Sequence, residues 1–215
     1  MELLDDFKQI ILNPAGFFRE KEVEGFREPM KFALVALTIS GILNISQALF
    51  ATNSSALMQL IGSQAGLSAA IGGLLGLVAI SIISLFIGSS IDHIFVSLLG
   101  DDRYGKTFQA FAYSTAVGVV SSAASLFFVA LPFQGSLIGL LSGLVAFGLF
   151  IYGLYVTARG IGELTELSFA EGMLAIAIPI ILVILGILLA YFLAGSVMQS
   201  MILNEGGSSQ FATPN

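Results

Sequence analysis

The sequence predicts an all-α fold: a polytopic membrane bundle of five transmembrane helices, with amphipathic interfacial helices at the N-terminus. Three observations predict it. The 215 residues are 56% hydrophobic and only 10% charged, with mean hydropathy +0.96. A soluble domain has about a quarter of its residues charged, so too little polar surface exists here to clothe a globule in water. The apolar residues also gather into five runs long enough to cross a bilayer. Finally, all eight Lys and Arg residues fall in alternate connecting segments. The same composition bounds function. A net charge of −6 argues against a nucleic-acid partner. Without cysteine there are no disulfides, thiolate metal sites or cysteine nucleophiles.

Residues 1–28 read as interfacial. Leu3, Leu4, Phe7, Ile10 and Ile11 share one helical face and Asp5, Asp6, Lys8 and Gln9 the other. Acids stand where a secretory signal needs bases, so no such signal is expected. Asn13 is placed to cap a second short helix with Pro14 at its first position, and Phe17, Phe18 and Phe26 give this segment an apolar side.

The membrane domain, 29–203, follows. The first span, Pro29–Phe50, rises roughly 33 Å, enough to cross the ~30 Å hydrocarbon layer. Residues 51–66 form a polar, uncharged loop containing the sequon Asn53-Ser54-Ser55. The second span lies near 70–90, its helix continuing to Leu99, where Gly100 should stop it. Thr107 is expected to cap the third, 107–131, which Pro132 ends. The fourth covers 135–157, followed by a polar connection, 158–168. Ser168 and Glu171 form a capping box before the fifth, 169–201, with Pro179 as an expected kink. Residues 204–215 read as a disordered external tail.

The N-terminal segment, up to the start of the first span, holds Lys8, Arg19, Lys21, Arg27 and Lys31, the turn after the second holds Arg103 and Lys106, and the turn after the fourth holds Arg159. This one-sided distribution predicts a cytoplasmic N-terminus and an external C-terminus, in the cell membrane if the source is prokaryotic. Every acid except Glu205 shares that side, which is therefore net acidic.

Small residues should let the helices approach: Gly135, Gly139 and Gly143; Gly72, Gly73 and Gly76; Ser114, Gly118 and Ser122; Gly186, Ala190 and Ala194. Packing within one chain is the expected use of these faces, and a homo-oligomer remains open. Asn44 and Gln47 are the candidate intramembrane polar contacts, expected to point inward and bond another helix.

Gly100–Thr107, GDDRYGKT, matches G-x-x-x-x-G-K-T, the phosphate-cradling P-loop pattern. The working motif follows a β-strand, whereas a membrane helix precedes this one, and Asp101 and Asp102 would repel phosphate. A nucleotide is not expected. Asp92 and the only histidine, His93, stand at the end of the second helix, but metal binding needs more ligands at defined spacing. No ionisable residue is expected between the two interfaces, which argues against a proton-coupled carrier. No catalytic, cofactor-binding or metal residue is predicted.

Two stretches resemble a known family. ILNPAGFFRE (Ile11–Glu20) is similar to the opening segment, and HIFVSLLGDDRYGKTFQAFAYS (His93–Ser114) to the helix–glycine turn–helix ending in an alanine-tyrosine-serine step, of the YIP family of Ypt/Rab-interacting membrane proteins. The resemblance covers nearly the whole chain and implies five spans with a cytoplasmic N-terminus. No proline follows the Tyr113-Ser114 step until Pro132, and the acidic D-L-Y-G-P region of eukaryotic members is absent, so the chain looks like the compact prokaryotic members. The expected function is a non-enzymatic membrane organiser or trafficking-like adaptor without cofactor, its partners being membrane lipids and a cytoplasmic protein. The candidate partner-binding turn comprises Asp92, His93, Asp101, Asp102, Arg103, Tyr104, Lys106 and Tyr113. The alternative is a small transporter or lipid-handling protein using Thr38, Asn44 and Gln47 with Ser81 and Ser84.

Overall fold

Lipid tails offer a backbone no hydrogen bonds, so each apolar run must satisfy its own N–H and C=O groups, and each does so as a helix. The computed structural model describes residues 2–21, 25–51, 64–100, 103–131 and 135–208. Among these there are seven helices and no strand: α1 (Glu2–Leu12), α2 (Pro14–Glu20), α3 (Arg27–Ala51), α4 (Gln64–Leu99), α5 (Tyr104–Ala130), α6 (Ser136–Thr165) and α7 (Phe169–Ser208). Five of them, α3 to α7, are long and apolar enough to span a membrane.

The local signals for helix ends hold where they are chemical. Asn13 Oδ1 accepts the Gly16 N–H at 3.1 Å, with Pro14 opening α2. Gly100 takes φ +122°, in the left-handed region that favours glycine, directly after α4. Ser168 and Glu171 form the reciprocal box: Ser168 N–H donates to Glu171 Oε2 at 2.7 Å, and Glu171 N–H donates to Ser168 Oγ at 3.3 Å.

Other boundaries move. Thr107 does not cap α5; the helix starts at Tyr104 with Arg103 at the cap, and Thr107 is a buried interior residue. The polar stretch after 157 is not a connection, because α6 continues to Thr165 and ends at Glu166 with φ 60°. Arg159 and Glu163 are one turn apart on that helix, 3.9 Å between charged atoms, so polarity here marks a helix end near water rather than a loop. The first membrane helix begins at Arg27 rather than Pro29. The last continues through Pro179 to Ser208, taking in residues 204–208 of the expected tail. The expected loop around Asn53, Pro132 and tail residues 209–215 lie outside the described residues.

Met1–Ile176 form one compact unit and Ala177–Asn215 a second. In the first, α5 is central: it packs against α3, α4, α6 and α1, while α2 packs on α6. Its buried residues include Ile10, Phe18, Phe108, Ala112, Tyr113 and Ile161. The glycines that permit close packing are not those of the regular stripes. A Cβ on Gly72, Gly73, Gly76, Gly135, Gly139 or Gly143 would meet nothing within 4 Å among the described residues, so within the first unit these faces do not make the close approach expected of them. One on Gly172 would lie 2.5 Å from the Ala158 carbonyl oxygen, and one on Gly160 would lie 2.9 Å from both Ala110 and Phe18. The described part of the second unit is the remainder of α7, whose side chains from Ile181 to Phe192 are largely exposed and apolar.

Candidate functional site

The α4–turn–α5 hairpin is built from a local register. Ser89, Asp92, His93 and Val96 recur at helical spacing on one face of α4, and this face is turned to α5. Ser89, Asp92 and Val96 are buried, and His93 is half-buried. The Tyr104 hydroxyl stands 2.8 Å from Ser89 Oγ and 3.3 Å from Ser90 Oγ. His93 Nδ1 lies 3.2 Å from Thr107 Oγ1, and its ring meets Tyr104 edge-on at 5.4 Å. Tyr104 and Thr107, one turn apart, thus fasten the two helices across the glycine turn.

The remaining residues of the predicted turn are dispersed. Arg103 is exposed at the start of α5, whereas Lys106 is only 2% exposed on the same helix. Asp101 and Asp102 lie outside the described residues. Tyr113, two and a half turns further on, belongs to a different cluster. Its ring packs 5.1 Å from Phe17, 6.4 Å from Phe18 and 5.0 Å from Phe32, with Lys21 Nζ 5.3 Å from its centroid. Lys21 is also paired with Asp6 at 3.1 Å. Tyr113 is therefore the post on which α2 and α3 converge. Phe17, Phe18, Phe32 and Lys21 were not singled out from the sequence as site residues. The available signal was the dense aromatic spacing around Pro14, but their common partner is 81 to 96 residues away in the sequence.

Two further ties bind the N-terminal helices to α6. Arg19 makes a two-pronged pair with Glu163 at 3.2 and 3.3 Å, which raises the guanidinium pKa above its ordinary value. Tyr152 donates its hydroxyl to the Ile11 carbonyl at 2.6 Å. Phe26 stacks obliquely on Tyr104 and Phe108, at 5.8 and 5.1 Å. The three basic segments of the sequence are thereby gathered at one end of the first unit: Arg19 and Lys21, Arg103 and Lys106, and Arg159.

The chemistry of this end is that of a built surface. Among the described residues, no group of three His, Cys, Asp or Glu side chains comes together to hold a metal. Lys106 and Thr107, the two residues a P-loop would direct at phosphate, are buried within the helix packing. Of the intramembrane amides, Gln47 Nε2 donates to the Ser122 carbonyl on α5 at 2.9 Å, as expected. Asn44 is exposed instead, because its position on α3 turns away from the α5 contact.

The family model of the Yip1 domain matches residues 8–204 of the chain. No curated protein and no solved structure matches it.

Proposed function

The chain belongs to the Yip1 domain family, and from that premise we propose that it is a non-enzymatic organiser or adaptor of its membrane, presenting its basic end to a cytoplasmic protein. The observation that carries this reading is the construction of that end. Four membrane helices that could splay in lipid, α3 to α6, are tied there to one another and to α2 by the Tyr113 cluster, the Arg19–Glu163 pair and the Tyr104 fastening. The surface so formed keeps Lys8, Glu20, Arg27, Lys31, Arg103 and Glu166 exposed. Charges of both signs at fixed spacing suit recognition of a protein partner, which needs preorganised polar groups more than net charge. The one-sided basic residues support a cytoplasmic position for this surface.

Two measurements test the reading. Because the chain has no cysteine, single cysteines at Arg103 and Asn53 report topology directly. Arg103→Cys should react with a membrane-impermeant maleimide only from the cytoplasmic side, and Asn53→Cys only from outside. A photo-crosslinking amino acid at Arg27 should give a discrete protein adduct in intact cells, lost when Arg103 is replaced by Glu. Lipid adducts alone, or an adduct indifferent to Arg103→Glu, would overturn the adaptor role.

A further inference from the structure

Between α1, the end of α2, the start of α3 and α5 lies a pocket of about 250 Å³, below the ~300–1,000 Å³ of sites for drug-sized molecules. Phe32 and Tyr113, 4% and 2% exposed, form its aromatic floor. With them stand two ammonium groups and two carboxylates: Lys21 paired with Asp6 at 3.1 Å, and Lys31 paired with Glu28 at 2.6 Å. All four side chains are accessible from outside, from 22% for Lys21 to 55% for Glu28. Lys21 also acts electrostatically on Glu28, so the two pairs form one group. Exposed ion pairs add little to stability, so holding the fold together accounts poorly for two of them around an aromatic pocket.

This group sets a defined demand on a ligand. Among the described residues lining the pocket, two positive and two negative charges cancel. An anion would meet the carboxylates and a cation the ammonium groups, whereas a zwitterion can satisfy both. An ammonium carries three donors and a carboxylate about four acceptor sites, so the single bond between Lys31 and Glu28 leaves capacity on both. The aromatic rings set the kind of cation. A quaternary ammonium is held by aromatic faces, but Lys21 Nζ already lies 5.3 Å from the Tyr113 centroid and 5.5 Å from that of Phe17. A primary ammonium, which donates hydrogen bonds to carboxylates, fits instead.

Position selects the source of the zwitterion. Lys31 stands four residues, roughly 6 Å, into α3, at the level of the polar layer, roughly 5–7 Å deep, that flanks the hydrocarbon of a bilayer. On α1, Leu3 lines the pocket and is 41% exposed, and Leu4 beside it is 75% exposed. Apolar surface thus adjoins the polar pocket, as the junction of a head group with its acyl chains requires. We propose that the pocket binds the phosphoethanolamine head group of a phospholipid, with the phosphate on Lys21 and Lys31 and the ammonium between Asp6 and Glu28. Binding there requires no protein partner at the basic end.

The test is native mass spectrometry of the delipidated full chain in detergent, titrated with one phospholipid at a time. Phosphatidylethanolamine should give a saturable adduct, bound about tenfold more tightly than phosphatidylcholine or phosphatidylglycerol. Affinity should fall stepwise through the N-monomethyl and N,N-dimethyl lipids as donors are lost. Asp6→Asn should bring phosphatidylethanolamine down to the level of phosphatidylcholine, and Glu28→Gln reads the same loss if that variant does not fold. Lys31→Gln should weaken both lipids alike, by about threefold to tenfold. Lys8→Gln, on the exposed face of α1, should change neither. Equal binding of the three head groups, tighter binding of the more methylated lipids, or a preference unmoved by the carboxylate variants overturns the proposal. So does soluble phosphoethanolamine that binds as tightly as the lipid, which would make this a site for a free zwitterion.

Discussion

The basic end of the first unit and the far half of α6 are both rich in apolar residues, yet they are used in opposite ways. At the basic end, Tyr113, Phe18 and Phe108 are all at most 2% exposed, and even Lys106 and Gln109 are buried among them. On α6, Leu137, Leu140, Leu144 and Phe147 are each about 60% exposed or more. Hydrophobicity therefore does not distinguish core from surface here. Lipid solvates a leucine as well as another leucine does, so association depends on shape and hydrogen bonding. Specific packing is concentrated where rings interlock, where the Ala110 and Phe18 side chains press on Gly160 and where the Ala158 backbone approaches Gly172.

The sharpest way to break this contrast is to empty the post at the basic end. Tyr113→Ala should cost about 3–5 kcal/mol, as removal of a buried aromatic does, and should free α1 and α2. Phe147→Ala on exposed α6 should change the unfolding midpoint in detergent hardly at all. Gly172→Ala comes next. Its Cβ would stand 2.5 Å from a backbone oxygen that has no freedom to yield, for about 1–3 kcal/mol of overpacking. Asn13→Ala removes the cap of α2 and should cost about 1 kcal/mol, read as increased proteolysis between residues 13 and 21. Smallest of all, Gly139→Ala and Gly143→Ala meet open space and should leave stability unchanged or raise it by up to ~1 kcal/mol through helix propensity. Marked destabilisation there would reveal a partner on that face, most simply a second copy.

The fold was legible in the sequence to the extent that it follows from local chemistry. Five apolar runs, the Asn13 cap, the Ser168–Glu171 box and the Gly100 stop need no knowledge of distant neighbours. What escaped reading was set by tertiary partners. Arg159 and Glu163 resemble loop residues until Arg19 is seen bonded to one of them. Thr107 resembles a cap until His93 is found against it. Asn44 and Gln47 are equivalent by type, but only Gln47 meets α5. The glycine stripes misled for the same reason: spacing shows that a helix can be approached, not that it is. Within the candidate turn, sequence proximity grouped Tyr113 with Tyr104, whereas the structure assigns them to separate clusters.

The contacts of α1 and α2 also impose a schedule on the growing chain. The Ile11 carbonyl waits for Tyr152, 141 residues later, and Arg19 waits for Glu163, 144 residues later. At ~5–20 residues per second of synthesis, these first two helices spend roughly 7–30 s without their partners on α6. Their amphipathic pattern gives them somewhere to rest meanwhile, on the surface of the bilayer. Closure of the basic end is thus a late step in biogenesis, and a ribosome stalled before Tyr152 would display α1 and α2 without their ties to α6.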